Sequence, residues 1–494
     1  MSPTPPLLDG YPSSTADEIV GADGRCSDLA AVLAPVLGLG AEGLAAAAVD
    51  LAAVYRDRDL VLGSWTDGQQ TRHPVGLDPV PRVLPAADWA RLAEGAAQRH
   101  RALNAFLADA YRAAGRRRSD PDRAPAVVRA GVLPEWAVTG SPGREPRAVG
   151  LAWPGQPRAA LAACDVVRTA EGRWAVCDDD LQVPAGLGLA LSARSAVRDV
   201  APALLPGADI ADPADAVAQL RAALEAAAPP GSSRPPRIAV LSAGDRDGTA
   251  AEHRLLAEAL GVPLVGASDL WPRVDGGVVA AVRGVRTEID VLYRRFDEAE
   301  LAAHRTPAGQ SLAALLSDAV RAGRLGLANV PGNGLADDAA TFPWVPAMIR
   351  FYLGEEPLLD SVPTWVLADE AQWAAVRDRL HELVLIPVAG YGGGGTVAGP
   401  LCSAAELAEL QAEVAAAPHR FVAREFVEPT TVPTLVGGRA VPRHVDLRVF
   451  TAALGEDGVR ALPAPLTRVA LEEGSRDISL RREAATKDTW LLTR

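Results

Sequence analysis

An α/β fold is predicted by three features of the 494-residue chain. A β-α-β pattern runs over Arg237–Ser242, Ala250–Leu260 and Val262–Val265, and its short crossover fits a parallel layer. A strand–turn–strand pattern covers 161–178, with Glu171–Gly172 as the turn. Between Val384 and Pro400 an apolar strand runs into Gly390, Tyr391 and four consecutive glycines, Gly392, Gly393, Gly394 and Gly395. Adjacent glycines are costly to order. The usual return is close backbone approach to a ligand, often with N–H groups turned to phosphate. A flexible hairpin turn is the plainer alternative.

The remaining elements follow in chain order. Residues 1–80 read as an extended arm followed by an Ala-rich helix near 26–55. Residues 86–113 form an amphipathic helix, because Trp89, Leu92, Leu103, Phe106, Leu107 and Tyr111 keep one face apolar. Residues 115–125, GRRRSDPDRAP, read as a solvated loop. Residues 147–154 open a strand, turn, strand and loop series that runs to 192. An Ala-rich helix within 205–236 precedes PPGSSRPP, the clearest linker. Strand Ile289–Tyr293, a helix near 308–322 and strand Gly326–Val330 repeat the parallel pattern, and strands and helices alternate from Thr364 onward. These divisions give segments 1–80, 81–230, 237–360 and 361–494.

Composition narrows the function. Apolar residues make up 49%, enough for a large core. A net charge of −13 argues against nonspecific nucleic-acid binding, which draws its affinity from cations on phosphate. Cys26, Cys164, Cys177 and Cys402 are scattered, and the seven histidines show no ligand spacing, so neither zinc nor a disulfide framework is expected. The N-terminus lacks the basic and apolar regions of a signal peptide, and no run reaches about 18 apolar residues. No membrane association is expected, and the chain reads as cytoplasmic.

Four constellations could carry chemistry. Asp165, Asp178, Asp179 and Asp180 gather at one end of the 161–178 hairpin. Clustered carboxylates suit Mg²⁺, a hard cation that takes oxygen ligands, though a solvated acidic turn has the same composition. His444, Asp446 and Arg448 share one face of a strand, next to Arg443. They could line a cleft or sit on an ordinary half-exposed strand. Arg294, Arg295 and Asp297 follow an apolar strand, where ligands of α/β sheets usually sit; a surface ion pair is the alternative. Lys487 and Asp488 precede the last apolar strand, and Lys487 could meet phosphate as a point charge.

Ordered segments across roughly 80–492 resemble the circularly permuted ATP-grasp family, type 2, itself distantly similar to glutathionylspermidine and glutathione synthetases. They include DVVRTAEGRWAVCDDDLQVPAG at 165–186, DVLYRRFDE at 290–298, LANVPGNGLADD at 327–338 and GYGGGGTVAGP at 390–400. VPTLVGGRAVPRHVDLR at 432–448 and LTRVALEEGS…TKDTWLL at 466–492 complete the set. The resemblance implies two lobes around a nucleotide cleft, with ATP under the glycine loop and Mg²⁺ on acidic residues. It implies a carboxylate–amine ligase acting through an acyl phosphate on small-molecule or peptide substrates. It further implies association with alpha-E domain and transglutaminase-like proteins. By position, Asp165, Asp178 and Asp180 correspond to the metal segment, Gly392 to Gly395 to the phosphate loop, and Asp446, Arg448 and Lys487 match in type; Arg295 joins them as a candidate catalytic cation.

The chain also departs from the family pattern. Lysines implied before the glycine loop and after Asp337–Asp338 are Ile386 and Ala339. Glu-Asp-Asn is Asp178-Asp179-Asp180, a following arginine is Gln182, and a second glycine run is replaced by 479–485 with Arg481 and Arg482. The readings are therefore an ATP- and Mg²⁺-dependent ligase with altered phosphate contacts, and a catalytically degenerate ATP-grasp scaffold or binding partner. Nucleotide-dependent transfer without amide formation is a third.

Overall fold

The computed structural model describes the chain apart from residues 1–5, 9, 13–15, 67–68, 118–119, 121–122, 207–208, 233, 245–246, 389–394 and 476–483. Two sheets set the architecture. The larger runs, by neighbour, through Asp360–Ser361, Trp174–Asp180, Leu161–Arg168, Arg439–Ala453, Leu466–Ala470, Ala484–Leu491 and Gly76–Leu84. Its inner pairings are antiparallel and its two outermost are parallel. The smaller sheet is wholly parallel, in the order Gly326–Ala328, Val291–Arg294, Ile238–Leu241 and Leu264–Val265.

Most expected elements form. The amphipathic helix spans Ala86–Ala114 and buries Leu92, Leu103, Phe106, Leu107 and Tyr111. The hairpin at 161–178 pairs Asp165 directly with Asp178, and Gly172 takes φ +79° in its turn. Helix Ala250–Leu260 ends at Gly261, whose φ of +62° fits the left-handed stop that glycine tolerates. Two expectations change. The Ala-rich N-terminal helix is three successive helices, Leu29–Val32, Ala34–Gly38 and Gly40–Asp57, interrupted near Leu33 and Leu39. Residues 147–154 form a short 3₁₀ turn, Pro146–Ala148, and irregular chain instead of a strand. Gly150 takes φ +75° in that stretch, which breaks an extended run, and Pro154 closes it.

Leu33, Leu37, Leu44 and Leu51 of the N-terminal helices share a core with Leu187, Leu256, Val240 and Trp490. They therefore belong to the same packed body as the parallel sheet. A smaller antiparallel sheet, ordered Thr364–Val366, Phe421–Glu425, Leu383–Pro387 and Val397–Ala398, carries its own core of Leu380, Leu385, Val414 and Ala423. The glycine segment connects the last two of these strands. No helix among the described residues is long and apolar enough to cross a membrane.

His100 illustrates how the body is held. It is buried on helix Ala86–Ala114, with Nε2 at 3.0 Å from Ala159 O and Nδ1 at 2.9 Å from Thr451 Oγ1. A carbonyl only accepts, so Nε2 carries the hydrogen and Nδ1 accepts from the hydroxyl. Burial lowers the imidazole pKa from 6.5 to about 4. The unfolded chain takes up this proton first, so the contribution is full above pH 6.5 and is lost as pH falls toward 4. Over that window it approaches about 3 kcal/mol. In urea titrations from pH 7 to 4.5, His100→Gln should show a shallower loss of stability than the parent. Parallel losses would assign the acid sensitivity elsewhere.

Candidate active site

The long strand Arg439–Ala453 is the axis of the site. Alternation sends Val445, Leu447 and Val449 to one side, where they are fully buried, and Asp446 and Arg448 to the other. Register places Arg448 opposite Asp165, and Asp165 opposite Asp178, while Asp446 lies opposite Arg468. The result is a band of carboxylates and guanidiniums across four strands. Arg448 grips Asp165 through Nε at 2.6 Å and Nη2 at 2.8 Å, and its Nη1 reaches Asp180 Oδ2 at 3.4 Å and Ala185 O at 3.0 Å. Arg468 Nη2 bridges Asp165 Oδ2 at 2.9 Å and Asp446 Oδ2 at 2.5 Å.

The carboxylates differ in what surrounds them. Burial would raise the Asp165 carboxyl, but Arg448 and Arg468 outweigh it and hold the group well below the usual range. Asp178 has no hydrogen bond or ion pair among the described residues and is only half-buried. Burial and the charge on Asp165 push its carboxyl up to about 7, against the pull of Arg424 and Arg448. Burial also raises Asp180, with Arg448 opposing and Asp165 adding. Asp337, on the short helix Gly334–Asp337, accepts from Leu181 N at 2.6 Å and Gln182 N at 3.0 Å; burial and the nearby Asp180 push it well above its ordinary value.

The parallel sheet adds Arg295 from the end of strand Val291–Arg294. The side chain is buried, with Nη1 donating to Pro184 O at 2.8 Å and Tyr293 Oη at 3.0 Å. Its Nε and Nη2 have no hydrogen-bond partner among the described residues, although Nη2 lies 3.8 Å from Glu252 Oε1. Glu252 accepts from Gly186 N at 2.7 Å and Gly188 N at 3.2 Å. Gly186 takes φ +110°, and a Cβ there would stand 2.6 Å from Leu466 Cδ2, so only glycine fits this corner.

Residues 81–470 match the family model for circularly permuted ATP-grasp type 2. The chain belongs to that family. A putative glutamate–cysteine ligase of Frankia casuarinae is 39% identical over 99% of this chain and 55% of its own length. An uncharacterized protein of Mycobacterium leprae is 37% identical over 92% of this chain and 78% of its own. The chain thus spans about half the length of the Frankia relatives it matches, 55% in each. The solved structure of a glutathione synthetase-like effector from Globodera pallida, in apo form, superposes with a TM-score of 0.55 at 12% identity, covering 91% of this chain and 97% of that one. Nothing in these likenesses supports the degenerate-scaffold alternative.

Within this ATP-grasp fold, the expected site residues divide. Asp165, Asp178, Asp180, Asp446 and Arg448 come together, and register places Asp446 and Arg448 on one face of the long strand. Asp165 is not an open metal ligand, because two guanidinium groups occupy it. Among the described residues no three His, Cys, Asp or Glu side chains form a metal-holding group. Lys487 is corrected more sharply. It pairs with Thr467, the neighbour of Arg468, so it points to the opposite face of the sheet. Its three ammonium hydrogens are taken by Asp78 Oδ1 at 2.7 Å, Val80 O at 2.9 Å and Pro433 O at 3.0 Å. Asp297 caps the helix Glu298–Ala303, and Arg294 is tied to the backbone at Asn329 and Phe296.

Gly392, Gly393 and Gly394, with Arg481 and Arg482, lie outside the described residues. Gly395 takes φ +78°, and a Cβ there would approach Pro387 to 3.0 Å. Ile386 and Ala339, which stand where the family resemblance implies lysines, meet in one apolar cluster with Val366, Val422 and Ala340. The small antiparallel sheet that carries Ile386, here called the lid sheet, touches the body through apolar side chains at this point.

The sequence reading missed Arg468 as a site residue. Its signal was the antiparallel pairing of 466–470 with the long strand, which is a nonlocal fact. The open and clamped carboxylates should respond oppositely to neutralisation. Asp165→Asn strands two buried guanidiniums and should lower the unfolding free energy by about 3–5 kcal/mol. Asp178→Asn removes a repulsive charge and should leave stability unchanged or raised. Equal losses in chemical denaturation would contradict this division.

Proposed function

We propose that the chain is an ATP- and Mg²⁺-dependent carboxylate–amine ligase. The observation that carries the reading is the half-buried Asp178 carboxylate, without a partner among the described residues, beside a rigidly clamped charge band. Mg²⁺ is normally held by one or two carboxylates, waters and substrate phosphates, so Asp178 with Asp180 suffices. The ion would supply neutralisation of phosphate charge. Arg448 and Asp446 hold the surrounding charges in fixed positions. Arg295, whose Nε and Nη2 have no hydrogen-bond partner among the described residues, offers a second anion contact from the parallel sheet.

In the reaction, a carboxylate oxygen bonds to the γ-phosphorus of ATP and ADP leaves. An amine nitrogen then bonds to the acyl carbon, phosphate leaves with that oxygen, and the amine gives up a proton. The protein supplies position and electrostatics. Amino-acid-like carboxylate and amine substrates fit the name printed for the Frankia relatives. Alpha-E domain and transglutaminase-like partners and a cytoplasmic setting belong to the same reading. Gly392 to Gly395 would cover the phosphates.

Calorimetry tests it directly. ATP should bind more tightly with Mg²⁺ than without, and Asp178→Ala/Asp180→Ala should remove that increment while leaving the metal-free affinity intact. ADP release should require both a carboxylate and an amine from an amino-acid panel. A wild-type chain that binds no ATP in either condition would remove the ligase reading and leave a scaffold.

A further inference from the structure

The lid sheet carries Ile386 where the family resemblance implies a lysine, and it holds a cation one strand away. Arg424 lies on strand Phe421–Glu425, opposite Val384, and shares a face with Val422, the partner of Ile386. That face is the one turned to the body, since Ile386, Val366 and Val422 pack with Ala339 and Ala340. The neighbouring residues Ala423 and Leu385 turn the other way, into the lid's own core. Arg424 is therefore on the side of the sheet that faces the body.

Its guanidinium is held from one edge only. Cζ lies 4.6 Å from the centre of the Phe342 ring, and Nε donates to Thr364 Oγ1 at 3.2 Å. Nη1 and Nη2 make no hydrogen bond or ion pair among the described residues. Arg99, which approaches the same ring at 5.4 Å, differs: it is fully engaged by Asp179 and Ser361. Aromatic stacking and one hydrogen bond fix the plane of Arg424 and leave both terminal nitrogens without a partner among the described residues. Such a planar, permanently charged fork suits a phosphate oxygen pair. Its field also reaches Asp178, the open carboxylate proposed to hold Mg²⁺.

We propose that Arg424 is the lid's phosphate contact, replacing the cation absent at Ile386, and that it binds the polyphosphate of the nucleotide opposite the Asp178 metal position. This rests on the ligase reading of the cleft. It adds that the phosphate cation has moved from strand Leu383–Pro387 to the adjacent strand, and that Phe342 keeps it in place.

The test is equilibrium binding of ATP and of adenosine, with Mg²⁺ present, to the parent, Arg424→Gln, Arg424→Lys and Arg424→Gln/Ile386→Lys, each checked for an unchanged thermal midpoint. Arg424→Gln should weaken ATP ten- to a hundredfold, the scale of about one to two charged hydrogen bonds, and leave adenosine unaffected. Arg424→Lys should recover only part of the loss, because it restores the charge without the planar fork. Adding a lysine at 386 should recover part of it, because the two side chains share a face. Equal losses for ATP and adenosine would overturn the proposal and make Arg424 a base or packing contact. Unchanged ATP affinity in Arg424→Gln would overturn it while leaving the ligase reading intact. A parent chain that binds no ATP would overturn both.

Discussion

The clamp on Asp165 is the interaction on which the site depends. Two arginines from different strands converge on one buried carboxylate, and each also reaches a second acid, Asp180 or Asp446. Buried charges are tolerable only when paired and hydrogen-bonded. Because Asp165 takes both guanidiniums, Asp178 on the next strand is left with an unmatched charge. The same clamp fixes the relative height of three strands, so the open carboxylate stands at a defined place beside it. One pairing thus provides a rigid wall and an unfilled ligand position.

The clamp is supported from behind. Arg82, on strand Gly76–Leu84, donates to Asp446 O at 3.0 Å and is paired with Glu18 at 2.6 Å, a residue of the N-terminal arm. Glu18 also accepts from Thr430 Oγ1 at 2.7 Å. Lys487 and Asp78 form a second pair on that rear face. The lysine expected at phosphate therefore works at one remove: it joins the closing strand to Gly76–Leu84 and keeps the sheet flush beneath the acids. The N-terminal arm reaches the back of the site although the family match begins only at residue 81.

Local patterns made much of this legible. The 86–114 helix, the Asp165–Asp178 pairing and the parallel strands follow from periodicity and turn residues, which act over a few positions. The long strand was readable too, since alternation alone separates Asp446 and Arg448 from Val445 and Leu447. What escaped was pairing between strands, across 22 residues in one case and hundreds in others. Nothing near Lys487 announces that Asp78 will meet it, and nothing near Arg468 announces Asp446 or Asp165. Interruptions at Leu33 and Leu39 escaped because alanine-rich sequence is helical whether or not the chain turns. Motif position put Lys487 in the right strand but could not say which face it takes.

The lid contact shows what a lysine at 386 or 339 would meet. A lysine at 386 or 339 would have to place an ammonium group in the apolar contact now formed by Ile386, Ala339, Val366, Val422 and Ala340. Burying one such charge without a partner is unfavourable, so either lysine alone would separate lid from body or draw in an anion to neutralise it. With both replaced by apolar side chains, the contact can close without a ligand. The rigid wall then keeps its charges, while the lid meets it through a dry seam beside Arg424. Charge has been withdrawn from the seam and kept where strand register can hold it.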